Sequence, residues 1–331
     1  MSPSSPFVDP GPMPKVSVQM IAYNHEKFIA QAIESVLQQE TSFPVELIVG
    51  EDCSPDGTRE IVRRYAQQYP GRIRPLLPER NLGMFANAQA VLAACRGEFI
   101  ACLEGDDYWT SPQKLQRQVE LLESRTDCAL CFHDARVIDG DGACVLPNYC
   151  MPKPAPFSTT SEILARNFIP TCSVVYRRKA LRPPSSALSH LPMGDWPSWV
   201  LLAQTGLIAY LDETWACYRL HAGGAWSGRT NDRQLRGALK FFEAMQTVLG
   251  PAHQPALRQH LKATLGDLVE NLVYQGRWRE ARPSAWRYLL RAPRRFRAPA
   301  GKRGLYWRVA LGVPSAIMRS QRPPPPALRS G

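Results

Sequence analysis

Strand-like and helix-like segments alternate four times between residues 15 and 124, and this alternation constrains the fold more than any other feature. The strand-like segments are short and apolar, and the helix-like segments repeat apolar residues at a spacing of three or four. Such alternation is typical of a largely parallel sheet with helices on both faces. The predicted strands are 15–23, 45–50, 73–77 and 98–103, and the predicted helices are 25–39, 56–69, 83–96 and 112–124.

Beyond residue 128 the strict alternation ends. The segments there favour shorter strands that pair antiparallel, and a helix that begins at Asp195 or just after it. The predicted elements are strands in 128–139 and 171–178, a helix in 194–206, one or two strands in 207–221, and helices from 230 onward. The sequence thus predicts an α/β body that is followed by helices.

The C-terminal segment 277–331 carries almost all of the net charge. It contains fourteen Lys and Arg residues against Glu280 as its one acid, so the +11 of the whole chain belongs to it. Tryptophan and tyrosine lie among the arginines, which favours an interfacial segment on an anionic membrane surface. A docking segment for a protein partner or a disordered tail is the alternative, and no nucleic acid is expected. Pro283, Pro293 and Pro299 are expected to break any long helix there.

Cysteine usage and hydropathy indicate the compartment. Nine cysteines at irregular spacing, with no secretory signal, predict a reducing environment. Cys128 and Cys131 form a CxxC, but their apolar surroundings favour a core strand over a metal or redox site. The sequence has no window of 18 apolar residues, so no transmembrane helix is expected. We expect a cytoplasmic protein, or one that is peripheral on the inner face of the cytoplasmic membrane.

Polar side chains follow each of the four predicted parallel strands. Ligands bind outside the carboxyl ends of the strands in such sheets, so these side chains are expected to converge on one rim. They are Tyr23 and Asn24 after the first strand, Glu51 and Asp52 after the second, Arg80 and Asn81 after the third, and Glu104, Asp106 and Asp107 after the fourth.

The acids after the fourth strand predict a cation. Glu104, Asp106 and Asp107 lie within four residues, where like charges repel and desolvation is costly. Mg²⁺ or Mn²⁺ held by such carboxylates would bind the phosphates of a ligand. The sequence lacks GxGxxG after the first strand, GxxxxGK[ST] and GxSxG, which argues against dinucleotide-binding folds, P-loop NTPases and serine hydrolases.

Several motifs in order resemble glycosyltransferase family 2, whose members are inverting nucleotide-sugar glycosyltransferases with the GT-A fold. The motifs are VSVQMIAYNHEKFIAQAIESVLQQ, ELIVGEDCSPDGT, RNLG and LEGDDYW followed by KLQRQ. The resemblance covers about residues 15–228 and not the chain beyond 230. It implies an α/β GT-A fold, Rossmann-like, with a mostly parallel central sheet, helices on both faces and a C-terminal helical extension.

The resemblance also suggests a division of the chain. The expected parts are a disordered arm in 1–14, a catalytic domain in 15–229 with a nucleotide-sugar-binding half in 15–127 and an acceptor-binding half in 128–229, a helical extension in 230–276, and a basic, aromatic-rich and partly disordered tail in 277–331.

For the donor site, the resemblance implies that Asp52 contacts the base of the nucleotide. The family's Asp-x-Asp motif matches Glu104-Gly105-Asp106, with a departure to Glu at its first position. Asp106 would be the main metal ligand and bridge to the diphosphate, and Asp107 is a possible supporting ligand. The remaining residues that are expected to line the donor are Tyr23, Asn24, Asn81 and Glu104.

For the reaction, the resemblance implies that Asp195 is the general base that removes the proton of the acceptor hydroxyl. His221, in a Tyr-Arg-x-His motif, would contact the metal or the diphosphate. The expected activity is metal-dependent transfer of a sugar from a UDP-, GDP- or dTDP-sugar, with inversion. The acceptor would be a glycan or lipid-linked hydroxyl in bacterial envelope polysaccharide or glycolipid synthesis.

Two other functions are less consistent with the sequence. A sugar-phosphate nucleotidyltransferase would carry a Gly-rich loop with Arg or Lys after the first strand, and the sequence has none there. A non-catalytic member that binds donor or scaffolds assembly at the membrane is the other, and the presence of both Asp106 and Asp195 argues against it.

Overall fold

The structure is a computed structural model that describes residues 13–181, 188, 190–224, 230–291 and 300–312. The expected N-terminal arm falls almost wholly outside these residues, as do Pro293, Pro299 and the chain beyond 312. By its contacts the chain forms two units. The first holds the described residues of Met1–Ile163, Asn167–Arg182 and Ser198–Gly223, and the second those of Leu164–Arg166, Pro183–Pro197 and Gly224–Gly331.

The first unit is built on a sheet that has ten strands within the described residues. The strands are β1 (Val16–Ala22), β2 (Val45–Glu51), β3 (Ile73–Leu76), β4 (Phe99–Glu104), β5 (Tyr108–Trp109), β6 (Cys128–Asp139), β7 (Cys144–Leu146), β8 (Phe157–Ser158), β9 (Val175–Arg177) and β10 (Leu207–Leu220). Their order is β3-β2-β1-β4-β9-β6-β10-β5, with β7 beside β6 and β8 beside β10.

The first four strands are parallel, as predicted. β1 lies between β2 and β4, with Val16 opposite both Val45 and Phe99, and β3 extends the sheet beyond β2. Val16, Phe99 and their apolar neighbours are fully buried, because helices cover the sheet on its faces. The period of the apolar residues therefore predicted this half of the sheet correctly.

The prediction for the second half of the sheet was partly wrong. β6 pairs antiparallel with β7 and β9, as expected, but it pairs in parallel with β10. It has 12 residues, and β10 is a single strand of 14 residues. The 67 residues between these strands are long enough for the crossover that a parallel pair needs, and no local pattern shows such a pairing.

The helices are α1 (Ile29–Leu37), α2 (Thr58–Gln68), α3 (Met84–Ala94), α4 (Lys114–Ser124), α5 (Thr160–Ala165), α6 (Asp195–Ala203), α7 (Asn231–Val248), α8 (Gln254–Tyr274), α9 (Trp278–Leu290) and α10 (Ala300–Leu311). α1 begins four residues later than the sequence predicts. Asn24 has a positive φ of 59°, and the carbonyl of His25 accepts the N–H groups of Phe28 and Ile29. These residues form a turn that places His25 outside the helix.

The second unit is helical and packs around α8. Trp196 stacks on Phe241 of α7 with ring centroids 4.0 Å apart, and the hydroxyl of Tyr306 on α10 donates to Glu270 of α8. Pro283 lies inside α9, so the expectation that it interrupts a helix was wrong. Buried side chains on either side of the proline hold α9 against its neighbours, and such packing outweighs helix propensity.

The described residues also bear on the expectations for cysteine chemistry, membrane spans and domain boundaries. All nine cysteines are free thiols, and Cys128 and Cys131 are buried on β6, as predicted. Among the described residues, no helix has both the length and the apolar character that a membrane span requires. α9 and α10 belong to the same contact unit as α7 and α8. The domain boundaries expected at 229 and 276 stay a prediction.

Candidate active site

Three side chains with metal-ligand character meet in the first unit. His25 follows β1, Asp106 follows β4 and His221 follows β10. Nε2 of His221 lies 3.0 Å from Oδ2 of Asp106, and Nε2 of His25 lies 3.6 Å from the same oxygen. One ligand atom from each of the three side chains lies within 4.8 Å of the others. This ligand cluster lies at the carboxyl edge of the sheet, where the sequence predicts a cation.

The turn that carries Asp106 is fixed against β1. The N–H of Gly105 donates to the carbonyl of Ile21 at 3.0 Å. A Cβ at position 105 would lie 2.7 Å from Cδ1 of Ile29 and 2.9 Å from Nδ1 of His25. Glycine is therefore the residue that lets the acid turn approach β1 and His25 closely.

The backbone of His25 is anchored on both sides. Its N–H donates to Oγ1 of Thr58 at 2.8 Å, and its carbonyl opens the turn before α1. The side chain is 13% exposed, and within the described part of the chain its Nδ1 has no hydrogen-bond partner. Burial lowers the pKa of His25, despite the nearby charge of Asp106. The neutral imidazole, which is the form that binds metal ions, is thus favoured.

Arg219 of β10 fastens the acid turn to the rest of the site. Its Nε donates to the carbonyl of Asp106 at 2.9 Å, and one terminal nitrogen donates to Oε1 of Gln31 at 3.0 Å. The guanidinium also lies over the ring of Phe28, 4.5 Å from the centroid. Since β10 also carries the chain into His221, Arg219 fixes the distance between the two halves of the ligand cluster.

Asp106 and its neighbour Asp107 have opposite environments. Burial pushes the pKa of the Asp106 carboxyl upward, but the hydrogen bond with His221 and the imidazole of His25 hold it below its ordinary value. Burial and the charge of Asp106 raise the pKa of Asp107 well above its ordinary value. Oδ1 of Asp107 accepts the N–H of Arg219 at 2.8 Å, and this side chain does not belong to the ligand cluster found among the described residues.

Two of the predicted donor residues connect β2 to the loop before α3. Oδ1 of Asp52 accepts the N–H of Leu82 at 2.7 Å, and Oδ2 accepts that of Gly83 at 2.9 Å. Nδ2 of Asn81 donates to the carbonyl of Asp52 at 2.9 Å. Asp52 is buried, so its carboxylate orders this loop. Its contact with a nucleotide base stays a prediction.

The other predicted donor residues lie at the ends of β1 and β4. Tyr23 is exposed, and Asn24 occupies the left-handed region next to His25. Glu104 is the last residue of β4 and is partly buried. Their roles toward a donor stay predictions.

Asp195 is the first residue of α6, as predicted, and is partly buried. It belongs to the second unit, and the division between the units falls inside α6, between Pro197 and Ser198. Burial of the neighbouring Trp196 against Phe241 fixes the start of this helix within the second unit. The role of Asp195 as general base stays a prediction.

Sequence reasoning missed His25 and Arg219. His25 directly follows Tyr23 and Asn24 at the end of a predicted strand, which is the signal that singles out the other rim residues. The helix predicted for 25–39 includes His25, so this residue was not counted among the rim residues. Arg219 belongs to the Tyr-Arg-x-His motif, but its role could not be inferred because its contacts depend on the pairing of β10 with β5 and β6.

Comparison with known proteins identifies the family. Residues 17–181 match the family model for glycosyl transferase family 2. The chain is 39% identical over 282 residues to an uncharacterized protein of Mycobacterium tuberculosis, across 82% of this chain and 73% of that one. It is 32% identical over 209 residues to a Bacillus subtilis protein named as a teichuronic acid biosynthesis glycosyltransferase, across 62% and 79%. The chain belongs to glycosyltransferase family 2.

Solved structures of glycosyltransferases share the fold. S. aureus TarS in complex with UDP-GlcNAc aligns with a TM-score of 0.61 and 19% identity, over 84% of this chain and 82% of that one. A mannosyltransferase from Pyrobaculum calidifontis in complex with GDP-Man and Mn²⁺ aligns with a TM-score of 0.56 and 17% identity, over 94% and 84%. The expected α/β GT-A fold with C-terminal helices is confirmed, and this family 2 chain is a glycosyltransferase enzyme.

Proposed function

We propose that the chain transfers a sugar, with inversion, from a nucleoside-diphosphate sugar to an acceptor hydroxyl, and that it uses a divalent cation. The observation that carries this proposal is the convergence of Asp106 and His221 at the carboxyl edge of a family 2 sheet. The complexes of TarS with UDP-GlcNAc and of the mannosyltransferase with GDP-Man and Mn²⁺ support a nucleotide-sugar donor and a metal.

The residues present fit a Mg²⁺ or Mn²⁺ ion. Asp106 offers an ionised carboxylate oxygen and His221 an imidazole nitrogen at 3.0 Å from it, and both side chains are about 15% exposed. When bound there, the ion supplies positive charge that stabilises the negative charge on the departing nucleoside diphosphate. Asp106 and His221 hold and orient that charge, and Arg219 keeps the acid turn in place through the carbonyl of Asp106.

The residues proposed to bind the donor are those that lie at the strand ends. The loop that Asp52 and Asn81 order, together with Tyr23 and Asn24, would bind the base and ribose. Glu104 would contact the ribose or the metal. These interactions are made both before and during the reaction, so they would mainly set the affinity for the donor.

Asp195 would act as the general base. Its carboxylate takes the proton of the acceptor hydroxyl as the oxygen attacks C1 of the sugar. The bond between C1 and the diphosphate oxygen breaks on the opposite face, so the anomeric configuration inverts. The proton ends on Asp195, and the electron pair leaves with the nucleoside diphosphate.

The acceptor is proposed to be a glycan or lipid-linked hydroxyl of envelope polysaccharide or glycolipid synthesis. The name of the Bacillus subtilis relative, a teichuronic acid biosynthesis glycosyltransferase, supports this class. The reaction would take place in the cytoplasm or at the inner face of the cytoplasmic membrane.

An exposed apolar surface on α9 and α10, here named the tryptophan patch, supports membrane contact. It consists of Trp286, Leu290, Trp307 and Leu311. In each helix its two members are four residues apart and share one face, and the two indole rings lie 5.7 Å apart. Arg291 directly follows α9 and Arg308 lies in α10, and both are exposed. Indole rings with neighbouring arginines are suited to the headgroup region of an anionic bilayer.

Release of nucleoside diphosphate tests the proposal. UDP-, GDP- and dTDP-sugars are screened with the full chain and Mn²⁺, first for hydrolysis and then with lipid-linked acceptors. We expect turnover with at least one donor. Asp106→Ala and Asp195→Asn should each lower it by about 10²-fold or more. Asp141→Asn is the matched control, because Asp141 is an exposed acid in the turn after β6. Turnover that neither variant lowers would refute the assigned roles.

A further inference from the structure

We infer that His25 is a third protein ligand of the cation, so that the centre has two imidazoles and one carboxylate and prefers Mn²⁺ to Mg²⁺. This inference rests on the proposed function, because it assumes that Asp106 binds a cation. It adds a third ligand to Asp106 and His221, the two residues to which the family resemblance assigns contact with the metal, and it narrows the class of ion.

Within the described residues, the hydrogen-bonding capacity of the His25 imidazole is not satisfied. Among the described residues its Nδ1 has no hydrogen-bond partner, and its Nε2 lies 3.6 Å from Oδ2 of Asp106. That distance exceeds the length of about 3.2 Å that N–H···O bonds reach. A largely buried imidazole without hydrogen bonds carries a desolvation cost. A cation beside Asp106 would give Nε2 a partner.

The separations between the ligand atoms are also close to those expected around one ion. Two ligand atoms that each lie about 2.1 Å from one ion are about 3.0 Å apart at a right angle and about 3.4 Å apart at a tetrahedral angle. The distances from Oδ2 of Asp106 are 3.0 Å to His221 and 3.6 Å to His25. Both separations are close to those of neighbouring ligands of one ion.

Contacts of its main chain and of its ring hold His25 in this position. Its main chain is bound to Thr58 and to the turn before α1. Its Nδ1 edge faces Gly105, where a Cβ would approach to 2.9 Å. The ring of His221 approaches that of His25 edgewise, with centroids 6.1 Å apart. The imidazole of His25 is thereby fixed beside the ligand cluster, as a metal ligand requires.

The chemistry of the donor set determines the preferred ion. Mg²⁺ favours a shell of oxygen ligands, whereas imidazole nitrogen favours first-row transition ions. The diphosphate of the proposed donor would add oxygen ligands, which suit both Mg²⁺ and Mn²⁺, and of these two ions Mn²⁺ is the one that belongs to the first-row transition series. With two imidazoles in the centre, we expect Mn²⁺ to bind at least about tenfold more tightly than Mg²⁺, and removal of one imidazole to reduce that ratio.

Pulsed EPR of the full chain with bound Mn²⁺ tests the inference, because it counts the imidazole nitrogens coupled to the ion. The wild type is compared with His25→Asn, His221→Asn and the control His190→Asn, which replaces an exposed histidine of the second unit. We expect two coupled imidazoles in the wild type and in the control, and one in each of the other two variants. The ratio of Mn²⁺ to Mg²⁺ affinity should fall for His25→Asn.

The results of this experiment distinguish a failure of the role of His25 from a failure of the proposed function. A single imidazole in the wild type that persists in His25→Asn overturns the role of His25 and leaves the metal site of Asp106 and His221 intact. Absence of Mn²⁺ binding in the wild type overturns both. Should His25→Asn fail to fold, as judged by circular dichroism, wild-type chain labelled with [¹⁵N]histidine gives the same count of nitrogens. One coupled imidazole there contradicts the inference.

Discussion

Close approach of the main chain is what makes the ligand cluster possible at the residue scale. His25, Asp106 and His221 come from three distant segments. Backbone contacts hold His25 and Asp106, and the imidazole of His221 is bound to Asp106. Gly105 is central, because its missing side chain leaves room for the imidazole of His25. The positions of the ligand atoms therefore depend on Gly105, which supplies no ligand atom itself.

Gly105→Ala should weaken metal binding without unfolding the chain. The added Cβ would lie 2.9 Å from Nδ1 of His25 and 2.7 Å from Ile29, so the acid turn or the imidazole must shift. We expect Mn²⁺ affinity to fall about tenfold, in line with other changes next to metal ligands. Titration with Mn²⁺ measures this. Gly140→Ala is the control, since its Cβ would have an ordinary contact of 3.8 Å with His221. Equal affinities of both variants would contradict the account.

Lys114 is a second residue with an unusual environment. It is fully buried, donates to Oε1 of Gln118 at 2.7 Å and lies 4.1 Å from the ring centroid of Trp109. Burial lowers its pKa to about 7. The unfolded chain therefore binds one proton more between about pH 7 and about pH 10.5, and stability rises with pH across that window.

Lys114→Met should remove this contribution. The free energy of unfolding of the wild type, minus that of the variant, should increase by up to about 1.4 kcal/mol per pH unit above pH 7. Groups that titrate equally in both proteins cancel in this difference. Denaturant unfolding at pH 7, 8 and 9 measures it. A difference that does not change with pH would show that Lys114 keeps its ordinary pKa in the folded state.

The acidic residues of the site were found from the sequence, whereas His25 was missed although it carries the same strand-end signal. Asp52 directly follows β2 and Asp106 lies two residues after β4, so their position at the rim follows from the period of these apolar strands. His25 also follows a strand, but the apolar spacing of α1 extends the predicted helix over it. The positive φ of Asn24 ends that extension, and asparagine is one of the residues that adopt this conformation.

At the element scale, β10 organises the site. It pairs with β6 over its length, and with β5 through Ala216 and Cys217, directly after the acid turn. This pairing places Arg219 within hydrogen-bond distance of the carbonyl of Asp106, and it places His221 beside the carboxylate of Asp106. The parallel strands β1 to β4 could be predicted because their pattern is local. The pairing of β6 with β10 could not, because it joins segments about 80 residues apart.

Arg219→Lys should loosen the acid turn while preserving the charge. Lysine lacks the planar fork that reaches both the carbonyl of Asp106 and Oε1 of Gln31. We expect about a tenfold loss of Mn²⁺ affinity and a smaller change in the thermal midpoint of unfolding. Arg136→Lys, at an exposed position of β6, is the matched control. Unchanged Mn²⁺ affinity in Arg219→Lys would refute the positioning role of Arg219.

At the scale of the whole molecule, the excess positive charge and the ligand cluster lie in different parts of the chain. The ligand cluster lies in the first unit, whereas the excess of basic residues lies in 277–331, whose described helices belong to the second unit. Composition alone predicted the basic segment. Its helices did not follow from composition, because tertiary packing stabilises α9 across Pro283.

Replacing the indoles of the tryptophan patch should weaken membrane binding. The double variant Trp286→Ser/Trp307→Ser keeps the arginines, so a loss of membrane binding reports on the apolar contribution of the indoles to that binding. We expect at least about a tenfold lower fraction bound to vesicles with anionic lipid in a flotation assay, with catalysis on soluble donor unchanged. Trp278→Ser serves as the control, since Trp278 does not belong to the patch. Equal flotation of wild type and double variant would refute the membrane role of the patch.

Metal-dependent binding of the nucleotide tests the central claim most directly. Calorimetric titration of the full chain with UDP, GDP and dTDP is carried out with Mn²⁺ and again with EDTA. For the nucleotide that binds, the account predicts an affinity at least about tenfold higher with Mn²⁺, and no such difference in Asp106→Asn. Wild-type affinities that are equal with and without Mn²⁺, for every nucleotide that binds, would contradict it.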